Sequence, residues 1–203
     1  RDRKLCILGG MTGSGKTEIL HELSRLGSQV VDLEGIARHR GSAFGSLGFG
    51  AQDNNEHFEN KLLDAFLQTN PEKPVWLENE SRSIGRVIIP PELYSVMESS
   101  DLYLLELPRE LRIERIVEDY GHFPASQLEE SIQRIRKKLG GLKTGWAVDA
   151  VSAGDYRKAV DHILDYYDKS YRYCMEQKNF RQIRVIRSES ADIPENAQKI
   201  LEA

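Results

Sequence analysis

Gly10-Met11-Thr12-Gly13-Ser14-Gly15-Lys16-Thr17 is the stretch of sequence that decides the fold. It reads G-x-x-x-x-G-K-[ST], the pattern of the phosphate-binding P-loop. An apolar segment, residues 5–8, comes directly before it, and residues 18–23 follow with apolar side chains at helical spacing. A strand, a glycine-rich loop and a helix in this order predict a phosphate site rather than a chance match.

Each residue type in this loop has an expected task. The glycines let successive N–H groups point at an anion, and the helix N-terminus adds partial positive charge. Lys16 reaches the outer phosphate, and the Thr17 hydroxyl is the candidate ligand for a Mg²⁺ that comes with the phosphate. The alternative is a glycine-rich turn without a ligand, which the flanking segments disfavour. The predicted phosphate-binding residues are Gly10, Thr12, Gly13, Ser14, Gly15, Lys16 and Thr17.

The composition fits one soluble domain. The chain has 203 residues, of which 39% are hydrophobic and 30% charged, and its apolar runs are too short to cross a membrane. No signal-peptide pattern is visible, so we expect a cytoplasmic protein. Cys6 and Cys174 have no metal-site or disulfide spacing. The net charge of −4 argues against an all-over nucleic-acid-binding surface but allows a local basic patch.

Five apolar strand candidates alternate with helical segments, which predicts an α/β fold. We expect a P-loop NTPase-like three-layer fold with a mostly parallel five-stranded sheet and a helical lid insertion. One domain is expected over residues 1–203, with the mobile lid at 118–154, where a charged amphipathic helix over 127–139 ends at Gly140-Gly141. The strand candidates are residues 5–8, 29–33, 75–78, 101–107 and 182–186.

A long helix is predicted near residues 155–177, because its apolar side chains recur at i, i+3, i+4 and i+7. Tyr167 and Tyr171 lie on that apolar stripe. We therefore expect these two tyrosines to be core residues rather than ligand contacts.

Ligands of doubly wound folds lie outside the carboxyl ends of the strands, so the residues that follow each strand are the candidates. After strand two come Asp32, then Arg38, His39 and Arg40 in a basic, glycine-rich segment that also contains Ser42. Guanidinium groups and backbone N–H donors suit an anion. The alternative is a solvated surface loop.

After strand three come Glu78 and Glu80, two residues apart, which places them on one face of an extended strand. P-loop hydrolases place an Asp near this point to hold the Mg²⁺ shell. We therefore take Glu78, Glu80 and Asp32 as candidates for metal or base chemistry, against the alternative of exposed acids at a strand end. Arg82 and Arg86 follow and can carry a second phosphate.

After strand four, Arg109, Arg112 and Arg115 fall on one side of a helix. Arg115 has Glu118 and Asp119 at i+3 and i+4, which favours salt bridges within the helix. Arg109 and Arg112 have no acid at those spacings. They are therefore expected to be free for a substrate phosphate.

Four segments together resemble the tRNA 2-selenouridine synthases, and the matches follow that family's order from the P-loop to about Tyr173. The most specific is Asp-Leu-Glu-Gly followed by His-Arg-Gly-Ser within residues 31–45. Lys169 stands where the family pattern has Pro. The matching segments are residues 31–45, Phe58-Glu59-Asn60, residues 78–85, and Tyr166-Tyr167-Asp168 with Tyr171-Arg172-Tyr173.

This resemblance implies a tRNA-modifying transferase. Family members carry an N-terminal rhodanese-like domain with a catalytic cysteine, and this chain resembles only the P-loop part. The resemblance further implies that wobble 2-thiouridine is S-geranylated by geranyl diphosphate and that selenium from selenophosphate then replaces the sulfur. The partners expected are tRNA and the rhodanese-like domain, with no membrane. Substrate contacts are expected from Arg38, His39, Arg40, Ser42, Arg82, Arg86, Arg109 and Arg112.

Two other classes of function fit the P-loop. A small-molecule or nucleotide kinase would bind ATP or GTP there, although the absence of an Asp after strand three counts against it. A binding module would hold a nucleotide without any turnover. Replacing Lys16 separates these alternatives. Loss of ATP turnover would favour the kinase, whereas no loss of tRNA modification would favour the binding module.

Overall fold

The computed structural model describes residues 3–203, which form seven strands and ten helices. The strands are β1 (Leu5–Gly10), β2 (Gln29–Val30), β3 (Val75–Glu78), β4 (Ser83–Ile84), β5 (Val87–Ile88), β6 (Asp101–Glu106) and β7 (Gln182–Arg187). The helices are α1 (Lys16–Arg25), α2 (Leu33–Ala37), α3 (Asn55–Leu67), α4 (Pro91–Glu98), α5 (Arg109–Tyr120), α6 (Ala125–Arg134), α7 (Arg136–Leu139), α8 (Gly141–Ser152), α9 (Tyr156–Glu176) and α10 (Ile193–Glu202). Within the described residues, no helix combines the length and apolar character that a bilayer crossing requires.

The main sheet has five parallel strands in the order β2-β3-β1-β6-β7, which confirms the predicted fold class. β1 is the central strand, with Cys6 paired to Trp76 of β3 on one side and to Asp101 of β6 on the other. The P-loop leaves β1 at the carboxyl edge of the sheet, between its two neighbouring strands. Residues that follow β3 and β6 are therefore placed beside the loop.

β1 is apolar without interruption because both faces of the sheet are covered. Leu5 and Ile7 point into one core with Leu102, while Cys6 and Leu8 point into a second core on the opposite face. The alternation of side chains along a strand produces this division. The sheet thus forms the middle of three layers.

A third apolar cluster lies in the helices rather than on the sheet. It joins α6, α7, α8 and α9 through buried residues that include Ile132, Val151 and Ile163. α8 and α9 make the most extensive contact in this group. The predicted lid segment, 118–154, contains α6, α7 and α8, and its mobility stays a prediction.

The structure corrects two predicted elements. The strand expected over 29–33 ends at Val30, because Asp32 caps α2 by accepting a hydrogen bond from Gly35 N. The single helix expected over 127–139 is interrupted at Ile135, where the backbone leaves helical geometry between α6 and α7.

Leu102 provides a test of the sheet core. It is fully buried on β6 and pairs with Ile7 and with Ile183. We expect Leu102→Ala to lower the free energy of unfolding by about 2–5 kcal/mol, because it removes buried methyl groups and leaves a cavity. Chemical denaturation measures the change. Ile183→Ala, at a half-exposed position of the edge strand, is the control, and equal losses in both variants would contradict this core.

Candidate functional site

The P-loop turns tightly at two glycines with positive φ. Gly13 has φ of 83° and Gly15 has φ of 75°, a region that side chains with a Cβ rarely adopt. A Cβ on Gly13 would lie 2.6 Å from the carbonyl oxygen of Arg112. The loop is closed further by a hydrogen bond from Ser14 N to Met11 O at 3.1 Å. The glycines are therefore required both by the turn and by the close approach of α5.

Lys16 and Thr17 are held by groups of the protein itself. Lys16 Nζ donates to Gly10 O at 3.1 Å, and Thr17 Oγ1 donates to Glu34 Oε2 at 2.8 Å. Burial alone would lower the pKa of the Lys16 ammonium, but the charges of Glu34 and Glu80 raise it above its usual value. Lys16 is thus charged. In the absence of a phosphate, its charge interacts with the carboxyl groups of Glu34 and Glu80.

Glu78 and Glu80 are both buried at the end of β3. Burial, together with the charge of Glu34, raises the pKa of Glu80 to about 8. Burial also raises the pKa of Glu78 well above its usual value, with a further contribution from Asp32. Carboxyl groups whose pKa values lie this far from normal can hold a proton at neutral pH.

The three candidate acids occupy different positions. Glu80 lines the cavity beside the P-loop, whereas Glu78 does not. One oxygen of Glu78 accepts a hydrogen bond from Leu33 N at 3.0 Å, and the other is buried without a partner. Asp32 lies at the cavity edge, where it caps α2 and bonds His21 Nε2 at 2.9 Å. Of Glu78 and Glu80, whose pKa values are both raised, only Glu80 therefore lines the cavity.

Helix α9 contacts the P-loop and the segment after α2 through the hydroxyl groups of two tyrosines. Tyr171 Oη accepts a hydrogen bond from Gly10 N at 2.9 Å, and Tyr167 Oη accepts one from Ala43 N at 3.1 Å. Both rings line the cavity. That these tyrosines are core residues rather than ligand contacts stays a prediction. Their rings pack in the apolar stripe, but their hydroxyl groups satisfy backbone donors at the site.

The expectation that Arg109 and Arg112 are free for a substrate phosphate is wrong, because both guanidinium groups pair with acids of α9. Arg112 is buried and forms two hydrogen bonds of 2.8 Å to Asp168, one to each carboxylate oxygen, and donates to Thr12 O at 3.1 Å. Arg109 binds Asp161 and Asp165 on α9. The acids come from a helix about 50 residues away, so spacing within α5 could not reveal them.

The segment after α2 places only part of its predicted set at the cavity. Arg40 and Ser42 line it, and the Arg40 guanidinium lies over the ring of Tyr120 with its centroid at 5.4 Å. Arg38 and His39 lie outside the lining, and His39 Nδ1 accepts a hydrogen bond from Gly41 N at 3.2 Å. His39 is therefore engaged locally.

Arg82 precedes a small antiparallel hairpin formed by β4 and β5, and Arg86 lies in the turn between these strands. Both are exposed and lie outside the cavity lining. They form a surface feature next to the site rather than part of the phosphate cradle.

Arg115 is a site residue that the sequence analysis missed. Its guanidinium packs against the P-loop, because a Cβ on Gly15 would lie 3.0 Å from Arg115 Cζ. Its Nη2 donates to Ala191 O at 3.0 Å, and its buried Nε has no partner. The acids at i+3 and i+4 had suggested salt bridges within α5, yet the ion pair that forms is a 3.9 Å contact with Glu18.

One cavity of about 970 Å³ joins these groups. Its polar end is the P-loop with Glu34, Asn79 and Glu80. Its opposite wall is apolar and belongs to the helical cluster described above. The apolar lining includes Leu128, Ile132, Ile135, Val151, Ala159 and Ile163. The cavity can therefore hold a ligand with an anionic head and an apolar body.

The parallel sheet and the loop at its carboxyl edge define a P-loop protein of the α/β class. A family model described as the tRNA 2-selenouridine synthase AAA domain matches residues 3–124. The chain belongs to the tRNA 2-selenouridine synthase family, as the sequence resemblance implied.

Curated relatives agree with this family. A tRNA 2-selenouridine synthase of Shewanella frigidimarina is 36% identical and is matched over 89% of this chain and 56% of its own length. One from Pseudomonas syringae pv. syringae is 35% identical over 87% of this chain and 56% of its own length. The chain spans about half the length of the curated relatives it matches. These relatives bear the name of an enzyme.

Among solved structures, the chain is similar to shikimate kinase from Acinetobacter baumannii, with 19% identity and a TM-score of 0.45 over 98% of this chain and 92% of that chain. It is also similar to dephospho-CoA kinase from Campylobacter jejuni, with 14% identity and a TM-score of 0.44 over 99% of this chain and 96% of that chain.

Asp168 tests the link between α9 and the P-loop. We expect Asp168→Ala to lower the free energy of unfolding by about 3–5 kcal/mol, because it leaves the buried Arg112 guanidinium unpaired. Asp161→Ala removes an exposed partner of Arg109 and should cost less than about 1 kcal/mol. Urea denaturation measures both. Similar small losses in the two variants would show that the buried pair does not hold these elements together.

The raised pKa of Glu80 predicts that the stability of the fold depends on pH. Its pKa is about 8 in the folded protein and near its usual value of 4.5 when unfolded. Between these values the folded state binds a proton that the unfolded state lacks. The free energy of unfolding should therefore fall as pH rises from about 5 to 8, by at most about 1.4 kcal/mol per pH unit from this group. Glu80→Gln should flatten that slope and exposed Glu130→Gln should not; parallel curves for wild type and Glu80→Gln would contradict the assignment.

Proposed function

We propose that this chain is the donor-binding part of a tRNA 2-selenouridine synthase and that its P-loop binds the diphosphate of geranyl diphosphate. The observation that carries this proposal is the single cavity that joins the P-loop to an apolar helical wall. A diphosphate fits the N–H cradle, and a short branched hydrocarbon chain fits aliphatic side chains such as Ile132 and Ile163. A nucleotide would place a polar base and sugar against the same wall.

The chemistry that follows is transfer of the geranyl group. The sulfur of wobble 2-thiouridine attacks the allylic carbon, the carbon–oxygen bond breaks, and diphosphate leaves with the negative charge. Lys16 and the P-loop N–H groups stabilise that leaving charge. Glu80 in its ionised form can take the proton released by the uracil ring, and its pKa of about 8 suits a general base near neutral pH. Selenophosphate, also an anion, then uses the same cradle. Its selenium forms a bond to ring carbon C2, the carbon–sulfur bond breaks and the sulfur leaves as geranylthiol, and water cleaves the phosphorus–selenium bond to release phosphate.

Mg²⁺ fits the oxygen ligands at this position. Thr17 Oγ1 and the Glu34 carboxylate lie 2.8 Å apart at the start of α1. Within residues 3–203, no group of three His, Cys, Asp or Glu side chains has an arrangement suited to a metal ion. Mg²⁺ commonly relies on one or two protein oxygens together with substrate phosphates and water. The bound ion would neutralise part of the diphosphate charge.

We propose that tRNA approaches over the mouth of the cavity. Arg40 and Ser42 line that region, and Arg38, Arg82 and Arg86 present exposed guanidinium groups on the nearby surface. A local group of cations binds phosphates of the RNA backbone despite the negative net charge. Arg109 and Arg112 are not part of this proposed surface, because their guanidinium groups pair with α9. The rhodanese-like domain of the full-length protein is the proposed second partner.

A thermal-shift comparison tests the ligand. With geranyl diphosphate and Mg²⁺ at about 100 times Kd, the chain should gain about 2.7 kcal/mol, or roughly 5–10 °C in Tm. ATP and GTP should give smaller shifts, and Lys16→Ala should remove the effect. A clear shift with ATP and none with geranyl diphosphate would favour a kinase instead.

Two variants show separately, in the same thermal-shift assay, how the polar and apolar ends of the cavity contribute to ligand binding. Ile132→Asn should reduce the shift with geranyl diphosphate but leave the shift with inorganic pyrophosphate, since only the hydrocarbon chain reaches that wall. Leu142→Asn, at an exposed position of α8, is the matched control. Unchanged tRNA modification by the full-length protein with Lys16→Ala would instead support a binding module.

A further inference from the structure

Tyr171 places a phenol hydroxyl at the first glycine of the P-loop. Its Oη accepts a hydrogen bond from Gly10 N at 2.9 Å. A Cβ on Gly9 would lie 2.9 Å from the same oxygen, so the strand end has room for this hydroxyl only because residue 9 is glycine. The ring lines the cavity.

The second partner of the Tyr171 hydroxyl is the side-chain amide of Asn79, which has a fixed orientation. Lys178 Nζ donates to Glu80 O and to Asn79 Oδ1, each at 2.8 Å. Because an ammonium group only donates, it holds the carbonyl side of the Asn79 amide towards itself. The Asn79 Nδ2 group then faces Tyr171 and donates to its Oη at 3.2 Å.

Tyr171 Oη therefore accepts from two groups that can only donate in these positions, the Gly10 N–H and the Asn79 amide. Both acceptor positions of the oxygen are filled, and the hydroxyl hydrogen is left over. Among residues 3–203, this hydroxyl accepts two hydrogen bonds and donates none. Burial raises the pKa of this phenol, so the hydrogen remains in place at neutral pH.

The unused hydroxyl hydrogen of Tyr171 lies near the ammonium group of Lys16. Lys16 Nζ bonds the carbonyl oxygen of Gly10, and Tyr171 bonds the N–H of the same residue. The two side chains are close enough for each charge to shift the pKa of the other. An anion that replaces Gly10 O as the partner of Lys16 also comes within reach of the phenol hydrogen.

We propose that Tyr171 is a ligand-binding residue, whose hydroxyl donates a hydrogen bond to an oxygen of the phosphate or diphosphate held in the P-loop. This inference rests on the proposed function, because it needs an anion in the cradle. The hydrogen bond strengthens as charge builds on the departing diphosphate, so Tyr171 also lowers the barrier to geranyl transfer.

Isothermal titration of this chain with inorganic pyrophosphate tests the donor. Tyr171→Phe should raise the Kd about 10-fold or more, as expected for a hydrogen bond to a charged group. Tyr103→Phe is the control. Tyr103 lies on β6, packs against the second core of the sheet and is outside the cavity lining. The control should stay within about 2-fold of wild type. Equal Kd values for the two variants would overturn the inference.

Replacing Tyr171 by 3-fluorotyrosine separates donation from a structural role. Fluorine makes the phenol a stronger donor and a weaker acceptor. If the hydroxyl donates to the ligand, pyrophosphate should bind about 2-fold or more tightly. A hydroxyl that only receives the Gly10 and Asn79 hydrogen bonds would give unchanged or weaker binding, and either result would overturn the inference. This substitution also decides the matter where Tyr171→Phe fails to fold.

Lys16→Ala tells apart the failure of this inference and the failure of the proposed function. Loss of pyrophosphate binding in Lys16→Ala, with no difference between Tyr171→Phe and Tyr103→Phe, would overturn only the role of Tyr171. Pyrophosphate binding that survives Lys16→Ala would overturn the phosphate site itself, and the inference with it.

Discussion

The buried ion pair between Arg112 and Asp168 is the interaction on which the site depends. Both groups are withdrawn from water, which is costly unless each finds a well-aligned partner. The two parallel hydrogen bonds supply that alignment, and Nη1 of Arg112 also donates to the carbonyl oxygen of Thr12. One charged pair thus fixes α5, α9 and the P-loop relative to one another, so the shape of the loop is set by elements far from it in sequence.

α9 performs two tasks. Its apolar stripe packs against α6, α7 and α8 and forms the wall of the cavity, while Tyr167 and Tyr171 direct their hydroxyl groups to backbone donors of the loops. Because the same helix borders the phosphate cradle and the apolar wall, the two environments meet in one cavity. This junction is the physical basis for proposing a ligand that is charged at one end and hydrocarbon at the other.

The charges at the cradle balance without a ligand. Lys16 faces Glu34 and Glu80, and Thr17 donates to Glu34. A phosphate must therefore compete with the Glu34 carboxylate for Lys16, and its net affinity reflects the difference between two sets of interactions. The raised pKa of Glu80 belongs to the same arrangement, because a protonated carboxyl group interferes less with an incoming anion.

The sequence by itself determined the P-loop, the five parallel strands and the long helix, because apolar periodicity and glycine spacing act between near neighbours. It also indicated the family. The tertiary structure alone decided the partners of Arg112, Arg115 and Tyr171, whose hydrogen bonds span 56, 76 and 161 residues. Helical spacing shows which side chains share a face but not which distant element packs against that face. For that reason the sequence assigned Arg115 to its own helix and left Arg112 without a partner.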